Sequence, residues 1–298
     1  MPVIIDGLDE PAICERELGE RFRAANVTPG DDEALLAAAP LLAGLYRDRD
    51  FLRRMLHDQL ELCRRGSARI TATSQTVNLG DLGGGHYLRM VFWPSPEDEF
   101  YARCDNSVFY YGRPHDHNFS FLTVGYDGPG YESDYFEIAG DTSEWHPGTP
   151  VALKPVGRKR LGTGRLMFYR RHVDVHSQLP PAANSITINI MSAGTRGPRG
   201  SQFIFDSSAS RVDQVMQNRF NPITFDMALC LDDDGVHEQI EHVARNHHDD
   251  YVRYYAFKSL ASRGAGGHWG PDFVERAEKS GSAMIRGWAK SYAAKVLA

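Results

Sequence analysis

Cysteine is scarce in this chain and never paired in sequence. Cys14, Cys63, Cys104 and Cys230 are far apart and form no CxxC, which excludes a disulfide framework or a cysteine zinc knuckle. Basic excess is also missing. The formal net charge is −6, the wrong sign for a nucleic-acid footprint. No apolar run approaches the length that spans a bilayer. The N-terminus MPVIIDGLDEPAICE has an acidic flank and only a short apolar run, unlike a secretory signal. The cluster Gly80-Asp81-Leu82-Gly83-Gly84-Gly85 lacks the Lys-Ser/Thr ending of a phosphate loop and reads as a turn. These absences leave a cytoplasmic protein with no nucleic-acid and no membrane partner.

What is present falls into three stretches. Residues 1–66 read as helical. Leu18 and Phe22 follow Cys14 at i+4 and i+8, Asp31 and Asp32 open an Ala/Leu-rich helix that meets Pro40, and a third helix carries Leu52, Met55, Leu56 and Cys63 up to Gly66. From residue 67 to 206 the period changes to two. Strands are predicted over 67–79, 86–93, 131–138, 151–156, 185–191 and 202–205, with turns at Asp127-Gly128-Pro129-Gly130 and in the basic run Arg158-Lys159-Arg160. From 207 to 298 the pattern is helical again, with stripes Val236/Ile240/Val243, Val252/Ala256/Leu260 and Phe273/Ala277/Met284/Trp288. Those stripes need a surface to cover, either the β region or a second subunit, so a homodimer is admitted.

The chemistry concentrates in YYGRPHDHNFSFLTVGYDGPGYESDYFEI, residues 110–138. His115 and His117 are two apart, so on a strand both imidazoles face one way, followed on that face by Phe119 and Phe121. Such a pair begins a metal site or is merely hydrogen-bonded on a strand. A second stretch, RLMFYRRHVDVHSQLPPAANSITINIM (residues 165–191), supplies His172 and His176. If residues 169–175 are extended, Arg170, His172, Asp174 and His176 share a face. His172 and His176 are then roughly 13 Å apart, too far for one metal to take both. Glu132 and Glu137 on the return strand are carboxylates that would complete a two-His-one-carboxylate set.

With its HxH strand, later strand-end histidine, loop and further strand, the chain resembles the cupin superfamily, closest to the three-histidine thiol-dioxygenase type. The resemblance covers about the middle half of the chain. It departs at the residues after HxH, since Asn118 to Gly125 contains no acid. It implies a mainly β fold, a cupin-type double-stranded β-helix (jelly-roll barrel) flanked by N- and C-terminal helices. It also implies metal ligands at His115, His117 and His176, with His172 at the pocket or its rim. Imidazole ligands suit Fe(II), and equally Zn, Ni or Cu. The second position of the HxH pair is His117, where 2-oxoglutarate oxygenases usually carry Asp or Glu, and this argues against a 2-oxoglutarate cosubstrate. The expected function is a mononuclear non-heme iron(II) oxygenase that uses O₂ on a small polar substrate of the amino acid or thiol class. Tyr87, Arg89, Arg113, Phe119, Phe121, Arg170 and Asn189 are expected around the pocket, an arginine among them holding a carboxylate. A metal-dependent isomerase or lyase, and a non-enzymatic ligand sensor with a helical partner surface, are the alternative classes, because one fold hosts many functions.

Overall fold

Alternation in the middle of the chain builds open antiparallel sheets. The structure is a computed structural model. It describes residues 1–66, 75–104, 106–138, 145–192, 201–208, 210–216, 223–230, 234–263 and 270–296. The chain divides into two compact units, one of residues 1–138, 152–195 and 206–208, the other of residues 139–151, 196–205 and 209–298.

In the first unit a six-stranded sheet has the spatial order β1 (Val3–Ile5), β7 (Leu166–Tyr169), β4 (Phe121–Asp127), β9 (Ser185–Ser192), β3 (His86–Trp93) and β2 (Thr76–Gly83). A three-stranded sheet has the order β6 (Leu153–Leu161), β5 (Tyr131–Ile138) and β8 (Val175–Gln178). Val91, Trp93, Phe121, Met167, Tyr169 and Met191 of the first pack with Tyr131, Tyr135 and Leu161 of the second, so the two sheets face each other across a shared core. Of the expected jelly-roll barrel, two facing antiparallel sheets are present, and among the described residues neither sheet closes on itself. Edge strand β6 shows why. It carries Pro155, a register shift opposite Tyr135/Phe136 and Gly157 at φ +118°, devices that end strand pairing.

The other face of the large sheet is sealed by helices. Leu88, Met90, Leu122, Val124, Leu166, Phe168, Ile188 and Ile190 form one core with Leu18 and Phe22 of α1 (Glu15–Ala24), Leu35 of α2 (Asp32–Ala37), Leu42 and Leu45 of α3 (Ala39–Arg47) and Phe51 of α4 (Phe51–Arg64). Each such side chain contributes about 1.5–3 kcal/mol by leaving water. Asp31 caps α2 by accepting from the Ala34 amide at 2.9 Å. Pro40 stands at the start of α3, where its missing N–H costs nothing.

Several expected boundaries move. Strand β1 lies inside the stretch read as helical, since three residues are too few to show a period; it pairs with β7. The basic run Arg158-Lys159-Arg160 is strand, not turn. Arg158 is held by Asp134 at 2.7 and 2.9 Å, so cross-strand ion pairs fix what looked like a charged loop. The Asp127–Gly130 turn stands as read. At Gly130, φ is +74° and an added Cβ would lie 2.0 Å from the Leu161 carbonyl oxygen, so only glycine fits. The strand expected over 67–79 begins within the described residues at Thr76; residues 67–74 lie outside them.

The second unit contains most of a two-stranded sheet, β10 (Gln202–Asp206) with β11 (Arg211–Met216), and helices α6 (Ile223–Leu229), α7 (Asp234–Asn246), α8 (Asp250–Arg263), α9 (Gly270–Glu278) and α10 (Ala283–Val296). Strand β11 falls where helix was expected. The predicted third stripe is two helices, because Ser280-Gly281-Ser282 breaks it and the Ser280 hydroxyl accepts from the Ser282 amide at 3.2 Å. Trp145 packs on Phe203 at 5.4 Å between ring centroids, and the Tyr251 hydroxyl donates to the Trp145 carbonyl. No helix among the described residues is long and apolar enough to cross a membrane.

Candidate metal centre

The histidine pair, expected on a strand, lies before it, with His117 four residues ahead of β4. Regular pairing in β4 begins at Phe121, and His115 joins the sheet only through an isolated antiparallel bridge to His176. That bridge is complete: the His115 amide donates to the His176 carbonyl at 2.9 Å and the His176 amide returns the bond at 3.0 Å. Two imidazoles from distant parts of the sequence are thereby placed side by side.

His115, His117 and His176 each offer a ring nitrogen, and those atoms all lie within 4.8 Å of one another. Ring centroids are 5.1 Å apart for His115–His117, 4.6 Å for His115–His176 and 5.0 Å for His117–His176. His117 Nε2 and His176 Nε2 approach to 3.4 Å. Two imidazole nitrogens at about 2.1 Å from one divalent ion, at tetrahedral to octahedral angles, stand roughly 3.0–3.4 Å apart, so the donor set fits a metal. His115 Nδ1 lies 2.9 Å from the Arg113 carbonyl; as the N–H donor there, it leaves Nε2 free to ligate. Burial lowers the pKa of the His115 imidazole, and burial, reinforced by His115, holds that of His176 well below its ordinary 6.5. Both are therefore neutral near pH 7, the form that binds metal.

Aromatic side chains wall the cluster. His117 meets Phe119 and Phe121, each at 5.0 Å, and His176 meets Tyr169 at 4.9 Å. Tyr169 stacks on Phe121 at 4.6 Å and its hydroxyl is 2.6 Å from that of Tyr135. Strand register carries the wall inward. One row of the large sheet runs Tyr169–Phe121–Met191–Tyr87, and the next runs Met167–Thr123–Asn189–Arg89. In that second row Thr123 Oγ1 and the Asn189 amide are 2.6 Å apart. With the amide nitrogen turned to Thr123, Asn189 Oδ1 accepts from Arg89 Nη2 at 3.3 Å. Among the described residues Arg89 has no ion pair and its Nε has no hydrogen-bond partner, and burial lowers its pKa. His117, Phe119, Tyr87 and Arg89 are half-buried.

The remaining candidates lie elsewhere. His172 is not on a strand but in the turn between β7 and β8, with φ +54°, so the 13 Å strand step does not apply. Its Nδ1 is 2.8 Å from the buried carboxylate of Asp116, and its amide donates to the His117 carbonyl at 2.9 Å. Asp174, expected beside His172, instead takes Arg170 at 2.7 and 3.0 Å and the Met1 ammonium at 3.0 Å. Arg170 is thereby committed to a carboxylate of its own chain. Arg113 lies over the Tyr110 ring at 5.5 Å. Glu132 pairs with Arg160 at 3.2 Å and Glu137 is exposed, so neither carboxylate joins the ligand cluster.

Tyr135, Tyr169 and Asp116 were not singled out in sequence as parts of the site. The pairing Tyr135↔His176 joins β5 to β8, and no local pattern announces it. Gln178 was also passed over, although its place two residues after His176 gives it the same face by alternation alone. The histidines of the second unit, His237, His242, His247 and His248, do not appear in any metal-ligand cluster among the described residues.

No family model and no curated protein matches the sequence. Similar solved structures include hydroquinone 1,2-dioxygenase PnpCD in complex with Cd2+ and 4-hydroxybenzonitrile, at 10% identity over 44% of this chain and 70% of that one, TM-score 0.26. Salicylate 1,2-dioxygenase from Pseudaminobacter salicylatoxidans matches at 12% identity over 49% of this chain and 34% of its own, TM-score 0.26. Vicilin from hazelnut, Corylus avellana, matches at 11% identity over 49% of this chain and 31% of its own, TM-score 0.24. This chain thus spans about a third of the length of the salicylate dioxygenase. Likeness at this level fixes no activity, and the chemistry rests on the side chains of the site.

Proposed function

We propose that the chain is a mononuclear metal-dependent oxygenase of cupin type, with Fe(II) held by His115, His117 and His176. The convergence of three buried or half-buried imidazoles, with no acid among them, carries this reading. When bound, the metal would supply a site at which O₂ and substrate meet. The protein's own part is threefold. The bridge between His115 and His176 sets the ligand spacing. Phe119, Phe121 and Tyr169 exclude water from one side. Arg89, a guanidinium with no carboxylate partner among the described residues, binds the acid group of a small polar substrate and orients it. A half-buried guanidinium whose Nε has no partner among the described residues favours a ligand that supplies an acceptor.

The test is oxygen consumption by iron-loaded protein with a panel of amino acids and thiols, without 2-oxoglutarate. Uptake coupled to loss of one substrate is expected, and Arg89→Met should raise KM by about 10²-fold, the scale of one charge-assisted hydrogen-bonded contact. Turnover that persists under strict anaerobiosis would assign the site to Lewis-acid isomerisation or lysis instead.

A further inference from the structure

We propose that the groove between α4 and the end of β4 is a second ligand site, and that it holds one aliphatic carboxylate of roughly ten carbons. The groove takes no part in the metal chemistry proposed above. Strand β4 begins at Phe121 beside His117 and ends at Asp127 in the groove, about 20 Å further on.

Helical spacing makes the apolar wall. Leu52, Leu56 and Leu60 follow one another at i, i+4 and i+8 along α4, and Tyr126 of β4 lines the same groove. The space they border is about 550 Å³. Leu52 and Tyr126 are buried, whereas Leu56 is 39% and Leu60 68% exposed. Only Phe51 and Leu52 are buried in α4, so among the described residues most of that stripe has no cover. From Leu52 to Leu60 is about 12 Å of helix, the length of an alkyl tail of roughly ten carbons.

The polar rim supplies a place for the head group. Arg49 Nη1 donates to the Tyr126 carbonyl at 2.9 Å, and the guanidinium lies over the rings of Tyr46 at 5.0 Å and Tyr126 at 4.9 Å. That cation is therefore held in position before a ligand arrives. Its Nη2 stands 3.7 Å from Asp127, too long for a hydrogen bond, so a carboxylate on the ligand finds a donor there. Arg53 and His57, one turn apart on α4, stand beside it. Asp50 accepts from Arg53 at 3.1 Å, an exposed pair that holds weakly. The lining thus sets the guanidiniums of Arg49 and Arg53 against the lone carboxylate of Asp127, on a chain whose net charge is −6. An anionic head at Arg49 with its tail along the leucines satisfies both parts of the groove.

A protein partner fits less well. A stable protein interface takes about 20–30 residues a side, and this groove bares Leu56 and Leu60 alone among its apolar residues. A second copy paired antiparallel across the stripe would set Arg53 and His57 against the same two residues.

The experiment uses the full chain and isothermal titration with hexanoate, octanoate, decanoate and dodecanoate, each below its micelle threshold. Affinity should rise about twofold per added CH₂ up to decanoate, the gain for half-buried methylenes, and level off beyond it. Decanol should bind about tenfold more weakly than decanoate, and decanoate should bind Arg49→Gln about tenfold more weakly than the unaltered chain. Leu60→Glu, at an exposed position that folding does not depend on, should weaken decanoate by at least about tenfold, and Arg53→Gln by about threefold. No binding by any of the acids, equal binding of decanol and decanoate, or full affinity in Leu60→Glu each overturns the proposal. Binding to phosphatidylglycerol vesicles without binding of dissolved decanoate assigns the stripe to an anionic membrane surface. A dimer in sedimentation that Leu60→Glu dissociates, again without decanoate binding, assigns it to a second copy. Either result overturns the proposal as well.

Discussion

The two faces of the six-stranded sheet are made by the same strands and do opposite work. Along β3, β4 and β9, residues of one parity are Leu88, Met90, Leu122, Val124, Ile188 and Ile190, which seal the sheet beneath α1–α4. Residues of the other parity are Tyr87, Arg89, Phe121, Thr123, Thr187 and Asn189, the inner face that turns toward the histidines. A single-residue slip in register would exchange them. The difference teaches where specificity can be altered cheaply. The outer face is constrained by apolar packing, whereas the inner face carries polar groups held by hydrogen bonds among Thr123, Asn189 and Arg89 and between Trp93 and Thr187.

The largest effect is expected on the inner side. His176→Ala, shown to be folded by circular dichroism, should lose the metal altogether, since two imidazoles from one loop remain. His172→Ala should keep it. A loaded His176→Ala beside an empty His172→Ala would exchange the roles of the two residues.

On the outer face, Leu122→Ala should cost about 2–5 kcal/mol of stability by leaving a cavity, while the folded fraction keeps full metal content. Urea unfolding with elemental analysis checks both. Metal loss without destabilisation would mean that the two faces are not separable in this way.

A smaller effect is expected at Asp116. Its carboxylate holds the strained His172 turn, and the His172 amide holds the His117 carbonyl. Asp116→Asn should weaken zinc affinity by about 10–100-fold, the range typical of groups that orient a ligand. Competition with a chelator of known affinity measures it; an unchanged constant would make the pair purely structural.

The smallest effect compares titration on the two faces. His86 lies on the outer side against Phe22, 5.2 Å between centroids, and burial lowers its pKa as it does those of His115 and His176. Above pH 6.5 these groups are neutral in both folded and unfolded chains and contribute no pH dependence. As pH falls below 6.5 the unfolded chain takes up protons that the folded one refuses, so apo-protein stability falls until the lowered folded values are reached. His86→Leu should remove part of that slope and leave metal binding intact. A slope unchanged in His86→Leu would place the whole effect on the inner face.

Much of this was legible before the fold was known. The HxH spacing and the late His176 picked out the three histidines that the fold brings within 4.8 Å of one another, and strands from Thr76 onward follow the change from a 3.6 to a two-residue period. What stayed hidden depends on contacts between distant residues. The sequence around His172 reads as a continuous strand, because Arg170, His172, Asp174 and His176 alternate cleanly. The turn there is stabilised by Asp116 and Ser120, more than fifty residues earlier. Likewise Arg158 and Arg160 read as a charged turn until Asp134 and Glu132 stand opposite them. Alternation shows which residues share a face, whereas pairing decides what that face meets.

The central claim is that His115, His117 and His176 together hold one divalent ion. The most direct measurement is X-ray absorption on protein titrated with Fe(II) under anaerobic conditions, read alongside metal stoichiometry. One metal per chain with three imidazole nitrogens at about 2.0–2.2 Å is the predicted result. Failure to take up any of iron, zinc, nickel or copper, or a first shell with fewer than three imidazoles, would contradict it.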